Sequence, residues 1–276
     1  MKLLLTVQDL SCVGKCSLTI ALPVISALRV ECSVLPTAVL STHTGGFGRP
    51  AVLDLTEGLD TVPAHWLSQG ITFDGIYTGY LSNTAQIEGA RRLFRDFLAA
   101  GAPAIADPAM ADHGKLYSGF DDSFVSAMRG LVSAADLVLP NFTEAALLTG
   151  TPYREDSDME YVWLLLEKLR ALGPKQVIIT GVTNPDKPDM IGAAYCDTRT
   201  GKTGALYARR LARSFHGTGD LFASIVSALI VRGESLERAT GIAVEFTAEA
   251  IADTPPDADE RFGVYFERQL GELAAL

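Results

Sequence analysis

A chain of 276 residues, 48% hydrophobic and 20% charged, is long enough to bury one large core, and a single domain over 1–276 is expected. Its formal net charge of -10 and pI near 4.9 exclude a basic nucleic-acid or anionic-membrane surface. An anionic substrate would be neutralised locally, by backbone N–H groups and a divalent cation.

The apolar run over 3–7 is cut off by Gln8-Asp9, too short for a signal segment, and reads as a buried first strand of a protein expected in the cytoplasm. Further short apolar runs at 75–78, 104–106, 137–139 and 177–180 read as strands covered on both faces. Helical spacing occupies 14–28, 84–99, 120–132, 159–172, 218–231, 236–252 and 261–273. This alternation predicts an α/β fold: a doubly wound, mostly parallel sheet with helices on both faces. Residues 41–50 and 183–189, rich in Gly, Pro and hydroxyls, read as mobile loops over the site. No stretch is apolar enough to span a bilayer, and Cys12, Cys16, Cys32 and Cys196 lack metal or disulfide spacing, so reduced, mostly buried thiols are expected.

In such sheets ligands bind beyond the carboxyl ends of the strands. Ser11, Tyr80, Asp107, Asn141 and Gly181 each follow a predicted strand, so they are expected on one rim. The run Phe215-His216-Gly217-Thr218-Gly219-Asp220 leads straight into an apolar helical stripe, which converges backbone N–H groups and the helix dipole on one spot. That spot suits a phosphate, with Asp220 placed to meet a substrate hydroxyl. By local composition alone, a glycine turn before an ordinary capped helix reads equally well.

Asp107-Pro108…Asp112 puts one carboxylate at a strand end and another nearby, and Asn141-x-x-Glu144 reads as a capping box whose Glu faces the same rim. Asp107 and Glu144 suit a shared Mg²⁺. His43-Thr44-Gly45 is either a solvent hairpin or a substrate-side loop. Val13-Gly14-Lys15-Cys16 is not a Walker A loop, because the upstream glycine is missing and Cys16 stands where Ser/Thr would hold magnesium.

Taken in order, Asp107-Pro108…Asp112, Asn141-x-x-Glu144, Ile178-Ile179-Thr180-Gly181 and His216-Gly217-Thr218-Gly219-Asp220 resemble the ribokinase-like superfamily of small-molecule kinases. Ser11-Cys12-Val13-Gly14, Ser41-Thr42-His43-Thr44-Gly45, Thr78-Gly79-Tyr80 and Gly114-Lys115-Leu116-Tyr117 narrow the resemblance to the pyridoxal/pyridoxamine kinases, over about residues 2 to 252. The resemblance implies a ribokinase-like fold without a large lid domain, and transfer of the ATP γ-phosphoryl to the 5′-hydroxymethyl group of a B6 vitamer. It makes Asp220 the base and Gly217, Thr218 and Gly219 the anion hole. Ser11, His43, Thr44 and Tyr80 fall on the substrate side, and Asp107, Asp112, Tyr117, Asn141, Glu144, Thr180 and Phe215 on the ATP side, with Mg²⁺ at Asp107 and Glu144. A monovalent cation is a secondary contact, where Leu139 replaces a small hydroxyl residue, and a homodimer is the implied assembly. Hydroxymethylpyrimidine kinases share the fold and the Asp base and are the alternative enzyme reading. A sugar kinase would carry an inserted lid sheet that this chain lacks, and a vitamin-binding homologue without transfer activity is the non-enzyme alternative.

Overall fold

The computed structural model describes residues 1–154, 158–184 and 186–276. Eleven strands and nine helices alternate along the described chain: β1 (Leu3–Ser11), α1 (Leu18–Ala27), β2 (Glu31–Leu40), β3 (Val52–Asp54), α2 (Gly58–Ser68), β4 (Gly75–Thr78), α3 (Thr84–Phe97), β5 (Ala104–Ala106), β6 (Ala111–Asp112), β7 (Lys115–Leu116), α4 (Asp122–Ala134), β8 (Leu137–Val138), α5 (Phe142–Thr149), α6 (Met159–Ala171), β9 (Gln176–Asn184), β10 (Lys187–Asp197), β11 (Lys202–Arg209), α7 (Thr218–Arg232), α8 (Leu236–Asp253) and α9 (Leu270–Ala274). The main sheet has the order β11-β10-β9-β8-β5-β4-β1-β2-β3, and β6 and β7 form a separate hairpin.

The six central strands, from β9 to β2, are parallel, and antiparallel strands close both edges. The pleat explains why the central runs are uninterruptedly apolar. Leu5, Ile76, Val138 and Val177 face a core completed by α3 to α6, while Leu4, Tyr77, Leu137 and Ile178 face one completed by α1, α7 and α8. All eight are buried, so the sheet is covered on both sides. Among the described residues no helix is long and apolar enough to cross a membrane.

Several predicted boundaries are corrected. The helix expected over 14–28 begins only at Leu18, because Gly14 (φ 84°) and Ser17 (φ 50°) hold a left-handed turn before it. The helix expected over 261–273 is a 3-10 turn over Glu260–Phe262, a break where Gly263 takes φ 81°, and a second 3-10 turn over Glu267–Gln269 that runs into α9. Residues 183–189 do not form an irregular loop: Thr183 and Asn184 close β9 and Lys187 opens β10, so the segment is a hairpin tip, with Pro185 outside the described residues. Residues 41–50 remain without helix or strand, as expected. The thiols are less buried than expected, since Cys12 is exposed and only Cys196 is fully buried.

Candidate active site

The carboxyl ends of the parallel strands β1, β4, β5, β8 and β9 lie on one rim. Helices α3, α4, α5, α6 and α8 start with a side chain accepting from their first-turn N–H groups, supplied by Asn83, Asp121, Asn141, Asp158 and Ser235. Helix α7, like α1, α2 and α9, has no side-chain cap; its N-cap is Gly217, so no side chain of the N-cap takes its first-turn donors. The two flanking glycines differ in kind. Gly217 has φ 84°, and a Cβ there would lie 2.5 Å from the Lys15 carbonyl and from Ile20 Cδ1, so the fold requires it. Gly219 has nothing within 4 Å of a Cβ position and needs no special backbone angle. The fold does not explain it.

Asp220 sits on the first turn of α7, half-buried. Burial raises its carboxyl above the ordinary range, while a hydrogen bond from the Ser17 backbone N–H, another from Cys16 and the nearby His43 ring pull the other way. The Cys16 thiol donates to Asp220 Oδ2 at 3.2 Å. Asp107, at the end of β5, is driven well above the ordinary range by burial and by the charges of Glu144 and Asp220. Glu144 completes the capping box: Oε2 accepts the Asn141 N–H at 2.9 Å, and Oε1 accepts the N–H groups of Met110 (3.0 Å) and Ala111 (3.4 Å). Burial nonetheless pushes it up to about 8. Among the described residues, no Lys or Arg forms an ion pair with Asp107, Glu144 or Asp220. An acidic group so lacking in counter-charge fits a divalent cation, although only Asp107 retains both oxygens for it. No group of three or more His, Cys, Asp or Glu among the described residues forms an all-protein cage; water and phosphate oxygens would complete an Mg²⁺ shell.

The remaining candidates fall into two sets. Of those expected on the ATP side, Asp112 lies in and Tyr117 just after the β6–β7 hairpin, which is stapled to the start of α5 by Asn141 Nδ2 to the Ala111 carbonyl (2.8 Å) and the Gly114 N–H to Thr143 Oγ1 (2.9 Å). Thr180 lies beside Asn141, its N–H on the Pro140 carbonyl at 3.0 Å. Phe215, expected beside ATP, is 6% exposed and packs in the core, with the Arg213 guanidinium over its ring. The Thr218 hydroxyl is spent on the Phe215 carbonyl, so Thr218 can offer its N–H.

On the other side, His43 accepts the Gly45 N–H at Nδ1 (3.0 Å) and so donates from Nε2 to the Arg261 carbonyl (2.6 Å). Both ring nitrogens are committed to holding the 41–50 loop, whereas Thr44 beside it is exposed. A Cβ on Gly45 would strike the His216 ring, which places the loop directly against the 215–220 segment. Burial and the His43 ring lower the His216 pKa. Tyr80 is half-buried, its ring centroid 5.8 Å from that of Phe120. Ser11 is fully buried and donates to Asp9 Oδ2 at 3.2 Å.

Three residues at the site had no functional reading in the sequence. Asp9 is 4% exposed, accepts the Ser17 hydroxyl at 2.6 Å, and is pushed up to about 6 by burial, with the charge of Asp220 adding to the rise. Cys16 and Ser17 reach the site through the turn before α1. A polar Gln8-Asp9 pair ending a buried strand was the available signal for Asp9; nothing local marked Cys16. Lys15 points away, 3.1 Å from Glu267 and over the Tyr265 ring, as the rejection of a Walker A loop requires.

Comparison with known proteins places the chain in a family. A pyridoxal kinase from Lactobacillus plantarum is 38% identical, with a TM-score of 0.90 over 100% of this chain and 97% of that one. A putative phosphomethylpyrimidine kinase from Bacteroides thetaiotaomicron, in a crystal form with pyridoxal, is 33% identical, with a TM-score of 0.93 over 100% of this chain and 96% of that one. The bifunctional thiamine biosynthetic enzyme TH1 of Arabidopsis thaliana is 28% identical over 241 residues, 83% of this chain, and the match spans only 42% of that longer protein. With a match to the phosphomethylpyrimidine kinase family model over residues 22–263, the chain belongs to that family, a branch of the ribokinase-like superfamily whose relatives are B6 and hydroxymethylpyrimidine kinases.

Proposed function

We propose that the protein transfers the γ-phosphoryl group of ATP to the 5′-hydroxymethyl group of a B6 vitamer, yielding the vitamer 5′-phosphate and ADP. The observation that carries this reading is the uncapped start of α7, where an unconstrained Gly219 opens the backbone beside a carboxylate. Asp220 takes the hydroxyl proton as the oxygen attacks phosphorus, and a carboxyl raised by burial is a better base than an ordinary one. The N–H groups of Gly217, Thr218 and Gly219 receive the charge on the transferring group in place of water. Asp107 and Glu144 are the residues that would hold Mg²⁺, which when bound neutralises the phosphates. Ser11, Thr44 and Tyr80 would flank the ring, with Ser11, whose proton is given to Asp9, left to accept a hydrogen bond.

The vitamer assignment is supported by a 38% identical pyridoxal kinase that matches the whole chain and by the pyridoxal found with the Bacteroides protein. One second reading, phosphorylation of hydroxymethylpyrimidine, is favoured by the family that the sequence matches. Incubating the purified protein with Mg-ATP and each B6 vitamer tests the proposal: formation of a 5′-phosphate is expected, and binding without transfer would leave a vitamin-binding protein instead.

A further inference from the structure

The turn from Gly14 to Ser17 is built around Asp220. Ser17 is one of the few non-glycine residues with positive φ (50°, with ψ -123°), an unfavourable backbone held in place by its surroundings. Its hydroxyl donates to Asp9 Oδ1 at 2.6 Å and its N–H reaches the Asp220 carboxylate. One residue earlier, the Cys16 thiol donates to Asp220 Oδ2 at 3.2 Å. The turn cannot drift from α7. The Lys15 N–H donates to the Phe262 carbonyl at 3.2 Å, and the Lys15 carbonyl lies against the Cα of Gly217, where any side chain would collide. Turn and helix start therefore form one unit, with the base suspended between them.

We propose that Cys16 is a positioning residue for phosphoryl transfer, whose thiol occupies one oxygen of Asp220 and so fixes the plane in which the carboxylate meets the substrate hydroxyl. The inference rests on Asp220 being the base. Burial and the neighbouring Asp220 and Asp9 charges keep the thiol protonated, which fixes the direction of the hydrogen bond and leaves the sulfur a poor nucleophile. Without the thiol, the Ser17 N–H is left as the remaining hydrogen bond on a carboxylate whose terminal torsion is broad and weakly restrained, so its plane is less well fixed. Small misplacements of a reacting group lower the rate of the chemical step more than they weaken binding.

The test uses the intact protein and four forms: wild type, Asp220→Asn, Cys16→Ala and Cys16→Ser. Steady-state kcat and both KM values are measured with the vitamer turned over fastest, alongside thermal unfolding. Cys16→Ala is expected to lose about 5- to 10-fold in kcat, the scale of one weak hydrogen bond to a charged group. Both KM values should stay within about twofold, and Cys16→Ser, which returns a donor of similar size, should recover most of kcat. Wild-type kcat in Cys16→Ala, or equal losses in the Ala and Ser variants, would overturn the positioning role. If Asp220→Asn itself turns over normally, it is the base assignment that fails, a result separate from either of these.

Discussion

Replacing Asp220 by Asn keeps the size and one carbonyl acceptor for Cys16 and Ser17 but removes the base. General-base assistance is worth about 10²- to 10⁴-fold, or about 3–5 kcal/mol of barrier. The structure places this case at the upper end, because the neighbouring carboxylates have other partners: Glu144 accepts three backbone N–H groups, Asp9 accepts two serine hydroxyls, and Asp107, the one with both oxygens unused, is the carboxylate proposed for Mg²⁺. A loss of about 10³- to 10⁴-fold in kcat is expected, with KM for ATP little changed. Stability should move the other way. A carboxyl raised by burial disfavours folding once it ionises, so Asn at this position raises Tm at neutral pH. The assay is single-turnover transfer from labelled ATP beside a calorimetric scan. A variant within tenfold of wild type would refute Asp220 as the base, and a sharply lowered Tm would show that its lost activity is only unfolding.

The two glycines of the anion cradle should separate cleanly. Gly217→Ala forces a side chain into a left-handed position against the Lys15 carbonyl and Ile20, at a cost of about 2–4 kcal/mol read by urea unfolding. Gly219→Ala meets open space, so the protein should fold as stably as wild type while kcat/KM falls at least about tenfold because the methyl group occupies the phosphate approach. Asn141→Ala removes the α5 cap and the bond to the Ala111 carbonyl and should lower stability by about 1–2 kcal/mol in denaturant unfolding. Asp9 is raised from 3.8 to about 6 by burial, so it binds its proton more tightly folded than unfolded. Its contribution to stability is therefore lost as pH rises from about 4 to above 6, by about 3 kcal/mol, and Asp9→Asn should remove that part of the pH dependence.

The parallel core was legible because strands buried on both faces write themselves as unbroken apolar runs. The capping box at Asn141 and the α7 start were legible because their residues act within four positions of one another. The strand β2 was not, since Glu31, Ser33, Pro36 and Thr37 interrupt its apolar pattern near the edge of the sheet. Helix α2 was hidden by Pro63, which reads as a breaker but stands inside the helix. The β10–β11 hairpin was missed because short apolar stretches mix there with Gly192, Gly204 and charged ends. In the site, the motif residues were found and their supports were not. Cys16 and Ser17 matter through contacts with Asp220, about two hundred positions away, that only the turn before α1 creates, and Asp9 through the Ser17 hydroxyl it accepts.

The choice of acceptor is the central claim. It is tested most directly by measuring kcat/KM with Mg-ATP for pyridoxal, pyridoxamine and pyridoxine beside hydroxymethylpyrimidine, in one preparation. At least one B6 vitamer should be converted to its 5′-phosphate with the highest kcat/KM of the four; no turnover of any vitamer together with efficient turnover of hydroxymethylpyrimidine would contradict it.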